Sequence, residues 1–137
     1  MVTRLLAAAA VSALVAVPTA QAQTTITMMH VEQNPAISAY WNDIARRFEA
    51  AHPGVKMDLQ YLENESYKKK MPTLLQSSDR PQIIYSWGGG VMREQIKAGA
   101  IMDLSTAVDA NWKSRFSEAA VQAYTIDGKM WGVPMHT

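Results

Sequence analysis

Residues 25–62 read TITMMHVEQNPAISAYWNDIARRFEAAHPGVKMDLQYL, and their order sets the fold class. Thr25–His30 is a short β-branched and apolar run, the pattern of a strand. Asn34-Pro35 supplies a cap followed by a first-turn proline. Ile37, Tyr40, Trp41, Ile44, Phe48 and Ala51 then recur at three- and four-residue steps. Ser38, Asn42, Asp43, Arg46, Arg47 and Glu49 fill the opposite side. This predicts an amphipathic helix with one buried stripe. Pro53-Gly54 stops it, and Val55–Leu62 alternates apolar with polar, as a strand does. Strand, helix and strand in one short unit predict a right-handed crossover and a parallel sheet.

The remaining chain extends that pattern. Tyr67, Met71, Leu74 and Leu75 mark a second helix, which Pro72 should kink or restart. Ile83-Ile84-Tyr85 reads as a third strand without a polar gap, as when helices cover both faces. Gly88–Gly90 leads into a helix through Met92 and Ile96 that Gly99 ends. Asn111–Tyr124 carries a helical pattern through Trp112, Phe116, Ala120, Val121 and Tyr124. Asp127-Gly128 between apolar runs is a hairpin signal. The fold class is therefore α/β, a largely parallel sheet flanked by helices. Val133-Pro134-Met135 starts another extended piece just before Thr137, so the chain reads as the N-terminal part of a longer protein.

Composition narrows the function. The 137 residues are enough for one domain, and 48% hydrophobic content suits a globular fold. Thirteen Lys and Arg against 12 Asp and Glu give a formal charge of +1. Lys68-Lys69-Lys70 is short and flanked by apolar residues, a solvated helix face rather than a nucleic-acid patch. The absence of cysteine excludes disulfides, zinc-thiolate sites and a thiol nucleophile.

Residues 1–22 read as a signal peptide. Arg4 forms the n-region, Leu5–Val17 is apolar, and Ala20-Gln21-Ala22 fits a cleavage site that leaves Gln23 first. A membrane anchor is the alternative, but the apolar run is short and Pro18 interrupts it. The mature domain is then 23–137, in a compartment outside the cytoplasm, most simply a periplasm.

No enzyme constellation is visible. His30, His52 and His136 lack metal spacing, and Gly88-Gly89-Gly90 lacks the spacing of a dinucleotide turn. What stands out is a set of strand ends, because ligands of open α/β sheets sit beyond the carboxyl ends of the strands. His30, Glu32 and Asn34 follow the first strand, Glu63 and Asn64 the second, and Ser86, Trp87 and Gly88 the third. Carboxylates, amides, a hydroxyl and an indole are the chemistry of sugar recognition: aromatic faces pack on C–H surfaces and polar groups take hydroxyls. Each residue also has a structural reading. Trp87 suits a core or a platform, Gly88 a tight turn or a ligand contact, and Glu32 a solvated loop. Trp41 reads as core and Trp112 as packing. Ser86 with His30 or His136 would be the one nucleophile–base pair, and nothing in the spacing joins them.

Several segments resemble the extracellular solute-binding proteins of ABC importers, in the large sugar-binding family that includes maltose-binding protein. They are TITMMH, RRFEAAHPGVKMDLQYL, YKKKMPTLLQSSDRPQIIYSWGGG, QIKAGAIMDL and YTIDGKMWGVPMHT, in that order. Gln82 stands where the family usually has Asp, and Ser78 where it has Gly. The resemblance implies two α/β lobes around a hinge, most of the second being absent here. It implies a solute held in the cleft and a closed form that docks on a membrane permease. It puts Trp87 where members often stack a sugar, and His30–Asn34, Glu63–Asn64 and Met135–Thr137, including His136, on cleft loops. The expectation is a carbohydrate-binding component without cofactor, metal or enzyme activity, monomeric at full length and not bound to nucleic acid. A polyamine, glycerol phosphate or metal complex is the alternative solute, and a periplasmic enzyme domain the alternative class.

Overall fold

β1 (Thr24–His30) is the middle strand of the sheet and decides where everything else lies. The structure is a computed structural model and describes residues 23–135. The expected signal peptide and His136 fall outside the described residues. Among these, β2 (Val55–Tyr61) and β3 (Ile83–Ile84) flank β1 in the order β2-β1-β3, all parallel. The register runs from Thr24 opposite Val55 to His30 opposite Tyr61 on one side. Met28 opposite Ile83 and Met29 opposite Ile84 set it on the other. β3 is short, and the Gln82 side chain continues its ladder by accepting the Thr27 N–H at 2.8 Å.

The chain steps from β1 out to β2, then back across β1 to β3. With one crossover hand this puts the two connecting helices on opposite faces, and the period of a strand does the rest. Ile26 and Met28, with Met57 and Leu59, face helix α1 (Pro35–Ala51). Met29 faces the other way, into a core with Tyr67, Met71 and Leu75 of the α2 region (Asn64–Leu74).

α1 begins as the sequence predicts. Asn34 Oδ1 accepts the Ala36 N–H at 2.9 Å, and Pro35 occupies the first turn. Its apolar stripe is less buried than the periodicity implies. Ala45 is buried, but Tyr40, Ile44 and Phe48 are 59%, 42% and 39% exposed. The helix rests on the sheet along one line only. Beside that line an apolar groove of about 320 Å³ stays open between Trp41, Phe48, Met57 and Ile83.

α2 differs from its expected break. It runs through Pro72 and ends two residues later. A proline removes one N–H and crowds the preceding turn. So close to the C-terminus, the disruption falls where helix bonding is already ending. The Leu75 and Gln76 N–H groups close the final turn on Met71 and Thr73.

α3 (Gly90–Lys97) ends in a Schellman arrangement. The Ala100 N–H reaches the Gln95 carbonyl and the Gly99 N–H the Ile96 carbonyl, both at 2.9 Å. The Asn111–Tyr124 region forms two short helices rather than one, α4 (Ala110–Lys113) and α5 (Glu118–Ala123). Asp109 and Ser117 each cap one of them, and capping residues favour helix starts over interiors. The Asp127-Gly128 turn joins β4 (Thr125–Ile126) to β5 (Lys129–Met130), with φ of 53° and 75°. Two positive φ values define the hairpin turn whose twist matches its strands. The hairpin docks through the Leu104 N–H on the Met130 carbonyl at 2.7 Å. Among the described residues, no helix is long and apolar enough to cross a membrane.

Candidate functional site

Because all three strands are parallel, their carboxyl ends share one rim. Past the strand ends the ladder continues: the Leu62 N–H bonds the His30 carbonyl, and the Tyr85 N–H bonds the Met29 carbonyl, each at 2.9 Å. The loops that begin at Val31, Leu62 and Tyr85 therefore leave the sheet side by side.

After β1 the loop is built from three nested hydrogen bonds. His30 Nδ1 accepts the Glu32 N–H at 3.2 Å. Glu32 Oε1 accepts the Asn34 N–H at 2.7 Å. Asn34 Oδ1 in turn caps α1. His30 is 5% exposed, its ring edge-on to Trp41 at 4.8 Å and tilted against Tyr61 at 6.0 Å. Burial pushes the His30 imidazole below its ordinary value, and the Glu32 charge acts weakly in the opposite sense. His30, Glu32, Gln33, Ser38, Asn42 and Tyr61 line an open pocket of about 490 Å³. Its walls offer a carboxylate, two amides and two hydroxyls, a set suited to a neutral, hydroxyl-rich solute.

After β2, Glu63 has a local task. Its carboxylate accepts the N–H groups of Glu65 and Ser66 at 3.0 Å and starts α2. Those bonds hold its carboxyl below the usual carboxylate range. Asn64 is the first residue of α2 and donates its side-chain amide to Glu65 at 3.1 Å.

After β3, Trp87 is half-buried. It stands edge-on to Tyr67 at 5.9 Å and to Tyr85 at 5.3 Å, with the Lys68 ammonium 5.6 Å from its ring centre. One side of the indole joins the Met29–Tyr67–Met71 core. It also borders a groove of about 720 Å³ between α2 and α3, lined by Tyr67, Pro72, Val91, Gln95 and Ala98. Ser86 donates its hydroxyl to Gln95 Oε1 at 2.6 Å. Gly88 answers to packing. A Cβ there would lie 2.7 Å from the Ala123 carbonyl oxygen, so the turn passes too close to α5 for any side chain.

The sequence-derived residues thus divide. His30 and Glu32 share the polar pocket. Trp87 lies on the separate α2–α3 groove, with Ser86 anchored to its Gln95. Asn34 and Glu63 serve as helix caps. Tyr85 lines a third, smaller pocket of about 80 Å³ with Ser86, Tyr124 and Trp131. It touches Trp87, and burial raises its hydroxyl above the ordinary value, with Tyr124 and Glu32 adding to the effect. Sequence reasoning passed over it, although Tyr85 and Trp87 are two residues apart in an extended segment and so share a side. Asn42, on the polar face of α1, lies one turn from Ser38 and reaches the pocket with it. Its amide donates to the Ser38 carbonyl at 2.9 Å. Among the described residues, no group of three His, Cys, Asp or Glu could hold a metal ion.

A curated relative, an uncharacterized ABC transporter extracellular-binding protein of Pyrococcus horikoshii, is 26% identical over 93 residues, 67% of this chain and 21% of that protein. The chain thus spans about a fifth of that relative's length. Among solved structures, a chitin oligosaccharide binding protein is 27% identical with a TM-score of 0.70, covering 78% of this chain and 28% of that one. The maltose/maltodextrin-binding domain of Bdellovibrio bacteriovorus, bound to maltotriose, has the same fold at 16% identity and a TM-score of 0.64, with 78% and 27% covered. The family of bacterial extracellular solute-binding proteins matches residues 33–137, nearly all of the described fold, and this chain belongs to it.

Proposed function

We propose that this chain is part of the substrate-binding component of an ABC import system, that it captures a carbohydrate on the carboxyl rim of β1, β2 and β3, and that it hands the solute to a membrane permease. The observation that carries the reading is the half-buried Trp87 at the end of β3, flanked by Tyr67 and Tyr85. An indole face at a strand end offers a surface to the C–H side of a pyranose ring, and the separate pocket around Glu32, Gln33 and Asn42 offers partners to hydroxyls of another unit of an oligosaccharide. The likeness to a chitin oligosaccharide binding protein supports the same solute class. In this reading residues 23–137 are the first part of a two-lobe domain, monomeric at full length and acting by binding rather than catalysis. Residues 1–22 are the export signal that delivers it to the periplasm.

The test is tryptophan fluorescence of the full-length protein, titrated with mono- and oligosaccharides. A saturable change with one sugar class is expected. Silence across the panel, from protein shown to be folded, would overturn the carbohydrate reading. N-terminal sequencing of the exported protein should begin at Gln23.

A further inference from the structure

We propose that His30 is a positioning residue that holds the β1 rim loop only as a neutral imidazole, so that solute capture weakens as the pH falls. The consequence for capture rests on the rim being the binding surface, as argued above.

Three observations meet at this ring. His30 is nearly enclosed, it closes one wall of the polar pocket, and its Nδ1 is the acceptor for the Glu32 N–H at 3.2 Å. An imidazole can accept at Nδ1 only when that nitrogen carries no proton. Protonation would set an N–H against an N–H, and the first of the three nested bonds would break. The same imidazolium would then compete for the Glu32 carboxylate, which now accepts the Asn34 N–H at 2.7 Å. One proton thereby loosens the two bonds that carry Glu32 and Gln33 into the pocket.

The neighbours of His30 come from three elements. The loop contributes Glu32, whose charge favours the protonated ring. β2 contributes the Tyr61 ring, 6.0 Å from the imidazole. α1 contributes Trp41, edge-on to His30, with Ser38 and Asn42 lining the same pocket, none of them charged. Asp43, one residue further on α1, is bound to Arg46 and Arg47 at 3.1 Å and 3.0 Å. Burial outweighs Glu32, so the folded ring holds its proton less tightly than the unfolded chain does. The loop bond is therefore still intact at the ordinary histidine value of 6.5 and is lost as the pH falls through the lowered value of the folded ring.

Two readouts test this on the full-length protein. Nitrogen-15 spectra should show His30 Nδ1 unprotonated at neutral pH, and the Glu32 amide should shift with the His30 titration. A proton on Nδ1 at neutral pH, or a Glu32 amide indifferent to that titration, would overturn the proposal. Sugar affinity should fall by roughly tenfold per pH unit once the ring titrates, because one proton competes with capture. His30→Asn retains an oxygen acceptor near the Nδ1 position and cannot titrate. Measured against its own affinity at neutral pH, whatever that is, it should lose most of the acid dependence, whereas His30→Phe should bind poorly at every pH. An unchanged pH profile in His30→Asn would also overturn the proposal. If no sugar binds at any pH the functional reading fails instead, and the amide and nitrogen shifts decide the loop bond by themselves.

Discussion

Tyr67 stands edge-on to Trp87, ring centroids 5.9 Å apart at 79°, while its hydroxyl donates to the carbonyl of Tyr85. One buried side chain on α2 thus fixes both the indole and the backbone two residues before it. Burial raises the Tyr67 hydroxyl well above its ordinary value, so it remains a donor at any working pH.

Tyr67→Phe keeps the ring and removes the donor. The Tyr85 carbonyl then lacks its side-chain partner, at a cost of about 1–2 kcal/mol. Urea unfolding should show that loss with an unchanged slope. Full stability in the variant would mean that the bond is unimportant.

The glycines after Trp87 are not equivalent. Gly88→Ala should destabilise by about 1–3 kcal/mol, because the new methyl meets the Ala123 carbonyl 2.7 Å away. Gly90→Ala has no heavy atom within 4 Å and begins α3. It should stabilise by about 0.4–1 kcal/mol through the unfolded chain. Thermal melts of the two variants should move in opposite directions.

Trp87→Ala should weaken sugar binding about tenfold, since aromatic contacts of this kind contribute about 0.5–1.5 kcal/mol and 1.4 kcal/mol is tenfold. Trp87→Phe keeps part of the packing against Tyr67 and Tyr85 and should lose less. Calorimetric titration alongside circular dichroism separates affinity from folding. Equal affinity in all three proteins would exclude Trp87 from the site.

Acid should unfold the domain through three carboxylates. Glu49 accepts the Met57 N–H and pairs with Lys56, Glu63 accepts two helix N–H groups, and Asp103 accepts from Ser105 and Lys129. Each is held below its ordinary value of 4.5, 4.5 and 3.8 respectively. Their contribution is complete above those values and is lost as the pH falls through the lowered ones. Denaturation midpoints should drop below about pH 4.5, and Glu63→Gln should flatten part of that slope. A midpoint independent of pH down to 3 would contradict this.

Local signals were legible where they had one physical reading. The alternation in Val55–Tyr61, the Asn34-Pro35 start and the Asp127-Gly128 turn each appear as written. The parallel order followed from strand–helix–strand spacing. Cover was not legible: the α1 stripe is apolar whether or not another element rests on it, so periodicity could not show that Tyr40 and Phe48 lie open. The break between α4 and α5 turned on Ser117 acting as a cap, and serine is ambiguous until its hydroxyl finds a partner. At the rim, sequence order brought the loops together but could not tell a carboxylate that lines the pocket from one that starts a helix, which is why Glu32 and Glu63 read alike. Gly88 was ambiguous for a related reason: its constraint comes from Ala123, far along the chain.

The place of β1 in the sheet also bears on how the protein is made. Met28 pairs with Ile83, and Thr27 takes its side-chain partner from 55 residues further on. At about 5–20 residues per second, that stretch takes roughly 3–11 s to synthesise. For that interval the innermost strand exists without its second neighbour, and Ile26, Met28 and Met29 have no finished core to enter. A nascent chain whose central strand is completed this late depends on being kept from other chains until β3 has emerged.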